Sequence, residues 1–251
     1  FKATKKARAL ADKHGIDLST LGLSGIIKER DVLAAVGRTG TPTFSAQFQE
    51  VVVWGAGGHA KVMIDILREG RRDLHIRGIV DDGDAPDHLF GFPVLGTSDA
   101  LQTLINEGVR YGVLGVGAVT NNALRVELYQ KMVNLGFEMP NLIHPRANVE
   151  PSVKMGSGNQ LFAGATVSAD VKLGDNTIIN SGVVVSHDCV IGSHTHLTPG
   201  AILAGGVTVG ENTVIGMGVT VYLGVTIGRD VTISNGVHVM QDVPDGTILR
   251  A

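Results

Sequence analysis

The stretch INSGVVVSHDCVIGSHTHLTPGAILAGG, residues 179–206, contains the repeat that decides the fold. An aliphatic residue or Met occupies every sixth position from Val149 to Val239, and the residue two places earlier is small or β-branched, except at Asn159. Glycine also follows the aliphatic residue at intervals of eighteen, at Gly156, Gly174, Gly192, Gly210 and Gly228. These periods predict coils of three short strands with aliphatic side chains inside. The glycine edge is where a side chain would crowd the turn or where φ is positive.

This pattern resembles the hexapeptide-repeat family of left-handed parallel β-helices. The resemblance implies an all-β left-handed parallel β-helix over residues 144–243, followed by a tail at 244–251. Because no hexad is interrupted, the faces of the prism are expected to be flat. Flat faces with apolar surface pack against copies of themselves, and the family implies a homotrimer.

Residues 50–143 show a different pattern, in which strands alternate with helices. The segment begins with VVVWGAGGHAKVMIDIL, which indicates a buried strand, a Gly-rich turn and a helix. A second strand ends at Asp81 and Asp82, Ser98 is predicted to cap a later helix, and a last strand is predicted to end at NLIHP. This order predicts a parallel α/β domain of the Rossmann-like, nucleotide-binding type.

The Gly-rich turn is the first candidate binding element. A turn that leads into a helix leaves backbone N–H groups free at the positive end of the helix dipole, which favours phosphate. The turn lacks the full G-x-G-x-x-G fingerprint, because His59 follows Gly57 and Gly58, so a dinucleotide-dependent oxidoreductase is not favoured. Asp81 and Asp82 lie where a ribose or base would rest, with a simple strand-end turn as the alternative.

Three histidines within ten residues of the repeat form the second candidate. His187 falls at a corner of the prism, and the residues eighteen places before and after it are the small Ala169 and Gly205, which leaves room for a ligand. His196 is predicted to point outward, and a surface position is favoured for His194. Hexapeptide-repeat carbonic anhydrases bind zinc through three His, but their ligands are widely separated, so no metal is expected here.

Residues 50–243 resemble the NeuD/PglD family of sugar O- and N-acyltransferases. The resemblance rests on GAGGHAKV, the DD pair, VGAVTNNALR, NLIHP and the ordered pattern from Asn180 to Ala201. It implies an acetyl-CoA-dependent N-acetyltransferase that acts on the 4-amino group of a nucleotide-linked, for instance UDP-linked, 4-amino-4,6-dideoxy sugar in glycan biosynthesis.

The same resemblance assigns roles to individual positions. His187 is implied as general base, oriented by Asp188. Substrate-binding roles are implied for Gly57, Gly58, His59, Asp81, Asp82, Gly117 and Asn180. Acetyl-CoA-binding roles are implied for His196 and for Gly205, whose backbone N–H would receive the thioester oxygen.

The chemistry of amide formation favours this assignment. A sugar amine attacks a thioester only as the free base, and imidazole is the side chain suited to take up its proton near neutral pH. A fixed backbone N–H stabilises the charge that develops on the thioester oxygen, and no covalent enzyme intermediate is required. The alternatives are an O-acetyltransferase acting on a sialic-acid-type sugar and, in another class, a non-catalytic trimeric docking or scaffold subunit.

The first 37 residues form a small α-helical N-terminal module, joined by a linker at 38–49. Thr4 is predicted to cap a helix that Gly15 ends, and Gly37 ends a second helix. The order resembles the peripheral-subunit-binding domain of 2-oxo acid dehydrogenase acyltransferases, with a shorter loop, and implies a protein partner. A small helical appendage with an unrelated or oligomerising role is the alternative.

Composition excludes several classes of protein. The chain keeps 43% hydrophobic residues beside 34 glycines among 251, so it is neither disordered nor collagen-like. A net charge of −3 provides no field for nucleic acid or an anionic membrane, and no apolar run is long enough to span a bilayer. The single cysteine, Cys189, cannot form an internal disulfide, and a chain without disulfides suits the reducing cytoplasm. Its side chain is expected in the core.

Overall fold

A computed structural model describes residues 2–14, 18, 26–36, 49–117 and 122–250. The chain forms two compact units, Phe1–Phe48 and Gln49–Ala251. Within the described ranges, every helix is too short or too polar to cross a membrane.

The first unit is a pair of helices with a short two-stranded sheet. Its elements are β1 (Lys2–Ala3), α1 (Lys5–His14), β2 (Ile26–Ile27) and α2 (Glu29–Val36), with β1 parallel to β2. The Oγ1 of Thr4 accepts a hydrogen bond from the Ala7 N–H at 3.2 Å, which confirms the predicted cap. The predicted stops at Gly15 and Gly37 and the linker 38–48 lie outside the described residues.

The second unit begins with a parallel sheet of three strands and flanking helices. Gln49, expected to be the last linker residue, is the first residue of its first strand. The elements are β3 (Gln49–Trp54), α3 (Gly58–Gly70), β4 (Leu74–Val80), β5 (His88–Leu89), β6 (Phe92–Pro93), α4 (Ala100–Asn106), β7 (Tyr111–Leu114) and α5 (Ala123–Asn134). The sheet order is β4-β3-β7, and β5 and β6 form an antiparallel hairpin.

The predicted cap at Ser98 is wrong. Helix α4 follows Asp99, and no side chain caps it. Ser98 instead donates its N–H to Oδ1 of Asp82 at 2.7 Å and accepts a hydrogen bond from Nζ of Lys131 on its hydroxyl. The residue therefore ties the end of β4 to α5.

The rest of the unit is a left-handed parallel β-helix of two-residue strands that form three faces. Face 1 contains β8 (Leu142–Ile143), β11 (Gln160–Leu161), β14 (Ile178–Ile179), β17 (His196–Leu197), β20 (Val214–Ile215), β23 (Thr232–Ile233) and β25 (Ile248–Leu249). Face 2 contains β9 (Asn148–Val149), β12 (Thr166–Val167), β15 (Val184–Val185), β18 (Ile202–Leu203), β21 (Thr220–Val221) and β24 (His238–Val239). Face 3 contains β10 (Lys154–Met155), β13 (Lys172–Leu173), β16 (Val190–Ile191), β19 (Thr208–Val209) and β22 (Thr226–Ile227).

The β-helix extends beyond the predicted repeat at both ends. The strand at NLIHP, assigned from the sequence to the α/β part, is β8, and it pairs with β11 as the first strand of face 1. In the predicted tail, Leu249 pairs with Ile233, sixteen residues earlier rather than eighteen. Because the last coil is two residues shorter than the others, the six-residue repeat of aliphatic residues does not extend into it.

The predicted inward positions form the core of the prism. Leu161, Val167, Ile179 and their hexad equivalents are buried in one continuous cluster with the small residues two places earlier. Asn159, the exception in the sequence, is also fully buried. Its Oδ1 accepts hydrogen bonds from the N–H and hydroxyl of Thr177, one coil further on.

The glycines at intervals of eighteen avoid crowding, and their φ angles are not positive. A Cβ on Gly174 would lie 2.5 Å from the backbone N of Ser193, and one on Gly192 would lie 2.5 Å from that of Glu211. Positive φ occurs instead three residues after each inward residue from Met155 to Ile233. Those corners carry glycine, as at Gly182 and Gly200, or Asn, Asp and His, which tolerate the left-handed region better than other residues.

The α/β part packs on face 1. Leu142 and Ile178, whose side chains point outward from face 1, share one buried cluster with Met63 and Leu67 of α3. The two parts therefore form one compact unit with a shared core, and the predicted boundary at 143/144 lies inside it.

Candidate active site

A cavity of about 570 Å³ opens where the Gly-rich turn meets the β-helix. Its lining residues are Gly55, Ala56, Gly57, Gly58, His59, Val62, Asp81, Gly115, Val116, Gly117 and His196. Most of the predicted substrate-binding residues therefore share one cavity with His196, from the predicted acetyl-CoA set.

The Gly-rich turn has the geometry of an anion cradle. Gly55 has a φ of +117°, and a Cβ there would lie 2.8 Å from the backbone of Gly115, so only glycine fits. Gly57 and Gly58 are exposed, with open space around their Cα atoms. No side chain caps α3, whose N-terminus faces this space.

The two aspartates at the end of β4 have different positions. Asp81 lines the cavity and accepts hydrogen bonds from the N–H of Ala56 at 2.6 Å and of Gly83 at 2.8 Å. Asp82 accepts hydrogen bonds from the Trp54 indole at 3.1 Å and from the Ser98 N–H. Partial burial opposes its charge, but these hydrogen bonds outweigh it and lower its pKa. Asp82 thus fixes the loop that follows β4, whereas Asp81 faces the cavity.

His59 is held in one tautomer by Gln160, a residue that the sequence analysis missed. The amide of Gln160 donates to the Leu114 carbonyl, so its Oε1 faces Nε2 of His59 at 2.7 Å and accepts the ring proton. Burial and the nearby charge of Arg125 lower the pKa of His59 to about 4. His59 is therefore neutral at pH 7, with Nδ1 as an acceptor, and contributes no charge to the predicted phosphate cradle.

His196 and Asn180 form a pair beside the same cavity. His196 was predicted to point outward; its side chain does so but is buried beneath the α/β part. Asn180 receives the Ser181 N–H on its Oδ1, which leaves its Nδ2 to approach Nε2 of His196 at 3.2 Å. Both residues lie near the corner between face 1 and face 2.

A second cavity of about 420 Å³ continues from His196 along this corner. It is lined by Thr198, Pro199, Val214, Gly216, Met217, Thr232, Ile233, Ser234 and Asn235. The two cavities share His196, so a ligand in the α/β part and one in this groove would meet at that residue.

His187 and Asp188 lie at the other corner of face 2. Nδ1 of His187 lies 2.7 Å from Oδ2 of Asp188, so the carboxylate accepts the Nδ1 proton and leaves Nε2 free to act as a base. The ring lies over Gly205, where a Cβ would be 2.7 Å from Cε1. The Gly205 N–H donates to no described residue.

The three histidines of the repeat are held separately. Nδ1 of His194 lies 3.0 Å from the Asn176 amide, and the ring packs edge-on against Tyr129 with 5.6 Å between centroids. Burial lowers its pKa. His194 thus serves packing, and it is half-buried rather than on the surface as favoured. No described group of three His, Cys, Asp or Glu side chains has metal-binding geometry.

Cys189 is buried in the core of the prism, as predicted. Its thiol donates a hydrogen bond to the Ala204 carbonyl, and burial raises its pKa. A protonated, inaccessible thiol is a poor nucleophile, so Cys189 has a structural role in the core.

Comparison with known proteins identifies the family. Residues 50–132 match the model of the PglD N-terminal domain, and residues 170–205 and 188–223 match the bacterial transferase hexapeptide model of six repeats. PerB from Caulobacter crescentus, solved in complex with CoA and GDP-perosamine, is 43% identical with a TM-score of 0.72; the match covers 78% of this chain and 91% of PerB. The chain belongs to the NeuD/PglD family of sugar acetyltransferases.

Other NeuD/PglD-type structures agree. The acetyltransferase domain of PglB from Neisseria gonorrhoeae, in complex with acetyl coenzyme A, is 35% identical with a TM-score of 0.73, over 81% of this chain and 96% of that one. A histidine-to-asparagine mutant of the Caulobacter crescentus perosamine N-acetyltransferase, in complex with CoA and GDP-perosamine, is 42% identical with a TM-score of 0.73, over 78% and 90%. No curated protein sequence matched the chain.

Proposed function

We propose that the protein transfers the acetyl group of acetyl-CoA to the 4-amino group of a nucleotide-linked 4-amino-4,6-dideoxy sugar. The observation that carries this proposal is the His187–Asp188 pair in a chain 43% identical to a protein solved with GDP-perosamine. Perosamine is itself a 4-amino-4,6-dideoxy sugar. The same relative favours GDP over the UDP expected from the sequence.

The nucleotide belongs in the α/β cavity. Gly57, Gly58 and Gly117 offer backbone N–H groups to the diphosphate, and Asp81 offers a carboxylate to the nucleoside. The neutral His59 offers its Nδ1 as an acceptor for a hydroxyl or amine. Asp82 acts indirectly, by fixing the loop that follows β4.

Acetyl transfer then proceeds by direct attack. Nε2 of His187 removes a proton from the sugar amine as the nitrogen bonds to the thioester carbon, and Asp188 stabilises the resulting imidazolium. The Gly205 N–H stabilises the negative oxygen of the tetrahedral intermediate. When the C–S bond breaks, the CoA sulfur leaves with the electron pair and receives the proton from His187.

The acceptor cavity and His187 come together between subunits in this proposal. In one chain they lie at opposite corners of face 2. A homotrimer with face 2 toward its axis brings the His187 corner of one subunit to the His196 corner of the next. Uncharged side chains along this face, including Val184 and Ile202, support that arrangement.

Two further assignments complete the proposal. The first 37 residues bind a protein partner, because α1 carries exposed Lys5, Lys6 and Arg8 in its first turn, where basic side chains oppose the helix dipole. The reduced, buried Cys189 is consistent with a cytoplasmic location.

A CoA-release assay tests the reaction. Purified protein is incubated with acetyl-CoA and, separately, with GDP- and UDP-linked 4-amino sugars, a free sialic-acid-type sugar and no acceptor. We expect turnover with a nucleotide-linked amine, most with the GDP sugar. Turnover only with the free sugar hydroxyl would support the O-acetyltransferase alternative. No turnover with any acceptor, together with partner capture by the full chain, would support the scaffold alternative.

The His187→Ala variant tests the base. Loss of the proton acceptor should lower kcat by at least about 10²-fold, because general-base catalysis contributes that much. His88→Ala, at an exposed position outside both cavities, is the control and should keep wild-type turnover. Near-wild-type kcat in His187→Ala would overturn the assignment.

A further inference from the structure

Arg125 is a buried cation that forms no ion pair within the described part of the chain. The residue is 2% exposed, at the start of α5, and none of the ion pairs among the described residues involves it. Its Nη1 donates a hydrogen bond of 2.6 Å to the Val116 carbonyl, whereas Nε and Nη2 have no hydrogen-bond partner among the described residues. Burial lowers its pKa to about 9, so it still carries a proton at neutral pH.

Such an arrangement is costly in the unliganded protein. A buried charge with unsatisfied donors loses its hydration and recovers little in exchange. A neutral side chain of similar length would fill the same space without that cost. Stability therefore does not explain why an arginine occupies this buried position.

The cavity beside Arg125 lacks a cation of its own. Its charged lining residue is Asp81, and none of its lining residues is Lys or Arg. His59, the histidine nearest the Gly-rich turn, is neutral, partly because the Arg125 charge reaches it. A diphosphate in this cavity would meet backbone N–H groups and a carboxylate, but no positive side chain among the lining residues.

The peptide group between Val116 and Gly117 connects Arg125 to the cavity. It is trans, so its C=O and N–H point in opposite directions. Because the carbonyl points at Arg125, the Gly117 N–H points away from it, on the residue that lines the cavity. The guanidinium both polarises this peptide and fixes its orientation.

We propose that Arg125 is the cation that holds the diphosphate of the sugar nucleotide, acting from behind the cavity wall through the Val116–Gly117 peptide. It is a positioning residue, since the wall separates it from the ligand. The inference rests on the proposed function for the identity of the anion. It deepens that function by naming a source of positive charge that the lining residues do not supply.

Binding of GDP, GMP and inorganic pyrophosphate to the full-length protein tests the inference without any acetyl transfer. Arg125→Met should weaken GDP binding by at least about tenfold, because the buried charge that polarises the Val116–Gly117 peptide is removed. The loss should be larger for GDP than for GMP. Arg125→Lys, which keeps the charge, should recover part of the affinity.

Thermal unfolding of the ligand-free variants separates this role from a structural one. If Arg125 serves the ligand, Arg125→Met should unfold at the wild-type temperature or above it, since an unpaired buried charge has been removed. Arg71→Met is the matched control: Arg71 also donates to a backbone carbonyl, that of Asn141, but is paired with Asp73. That control should keep wild-type GDP affinity.

Two results would overturn the inference and leave the nucleotide site in place. One is wild-type GDP affinity in Arg125→Met. The other is weaker GDP binding that accompanies a lower unfolding temperature and is not rescued by lysine. A wild-type protein that binds none of the three anions overturns the inference together with the nucleotide site. Arg125-dependent GDP binding without any acetyl transfer overturns the proposed reaction alone.

Discussion

Gly205 controls where the His187 ring can lie. The imidazole occupies the space above the glycine, so this small residue of the predicted column positions the ring. We expect Gly205→Ala to push the ring away and lower kcat by about tenfold or more. The unfolding temperature should change little, because an exposed side chain moves rather than backbone. Ala169→Gly, on the other side of the column, should keep wild-type kcat, and equal losses in both variants would contradict this account.

His59 makes the stability of the protein depend on pH. Its folded pKa of about 4 lies below the value of 6.5 for a free histidine, so the unfolded state binds more protons between these values. Stability is therefore unaffected by His59 above pH 6.5 and falls as pH decreases toward 4. By this mechanism wild type should lose about 2 to 3 kcal/mol more than His59→Gln between pH 7 and 4.5, measured by denaturant unfolding. His88→Gln, at an exposed position, should follow wild type; an identical slope in His59→Gln would contradict the burial argument.

At the scale of the coil, two sets of glycines serve different purposes. Gly192 is enclosed by the backbone of the next coil, whereas Gly164 has a φ of +73° and a Cβ there would come no closer than 3.8 Å to a neighbouring atom. Gly192→Ala should therefore destabilise the protein by about 2 to 3 kcal/mol through overpacking, and Gly164→Ala by about 1 kcal/mol through backbone strain alone. Thermal or denaturant unfolding of both variants measures the difference. Equal losses of stability in the two variants would show that the backbone around Gly192 moves to accommodate the added Cβ.

The sequence predicted the coil well because its determinant is local. The inward positions from Leu161 to Val239 follow from a step of six and lie in the core, and Val149 and Met155 pack against it. The contacts that complete the site form only once the chain is folded. Gln160 belongs to none of the motifs and reaches His59 across 101 residues. Arg125 and Val116 are the two ends of VGAVTNNALR, but the motif does not show that their side chain and backbone meet. For the same reason Asp81 and Asp82 looked equivalent in the sequence but have different partners in the structure.

At the scale of the whole molecule, face 2 is the predicted subunit contact. Ile202 on face 2 and Val190 on face 3 occupy equivalent outward strand positions and are 45% and 40% exposed. We expect Ile202→Glu to convert a trimer into smaller species in light scattering and to lower acetyl transfer in parallel, because the proposed site needs two subunits. Val190→Glu should change neither property. If Ile202→Glu remains a fully active trimer, the subunits contact one another through a face other than face 2.

The core shared by α3 and face 1 limits which segments can be exchanged between members of the family. A chimera that exchanges the α/β segment at residue 143 would separate Met63 and Leu67 from the residues of face 1 against which they pack. Transferring the sugar-nucleotide specificity that we propose for this segment therefore requires the outward residues of face 1, Gln160 and Ile178 among them, to come from the same donor protein. The α/β segment and the outward residues of face 1 are therefore the smallest part of the chain that can be exchanged as a unit.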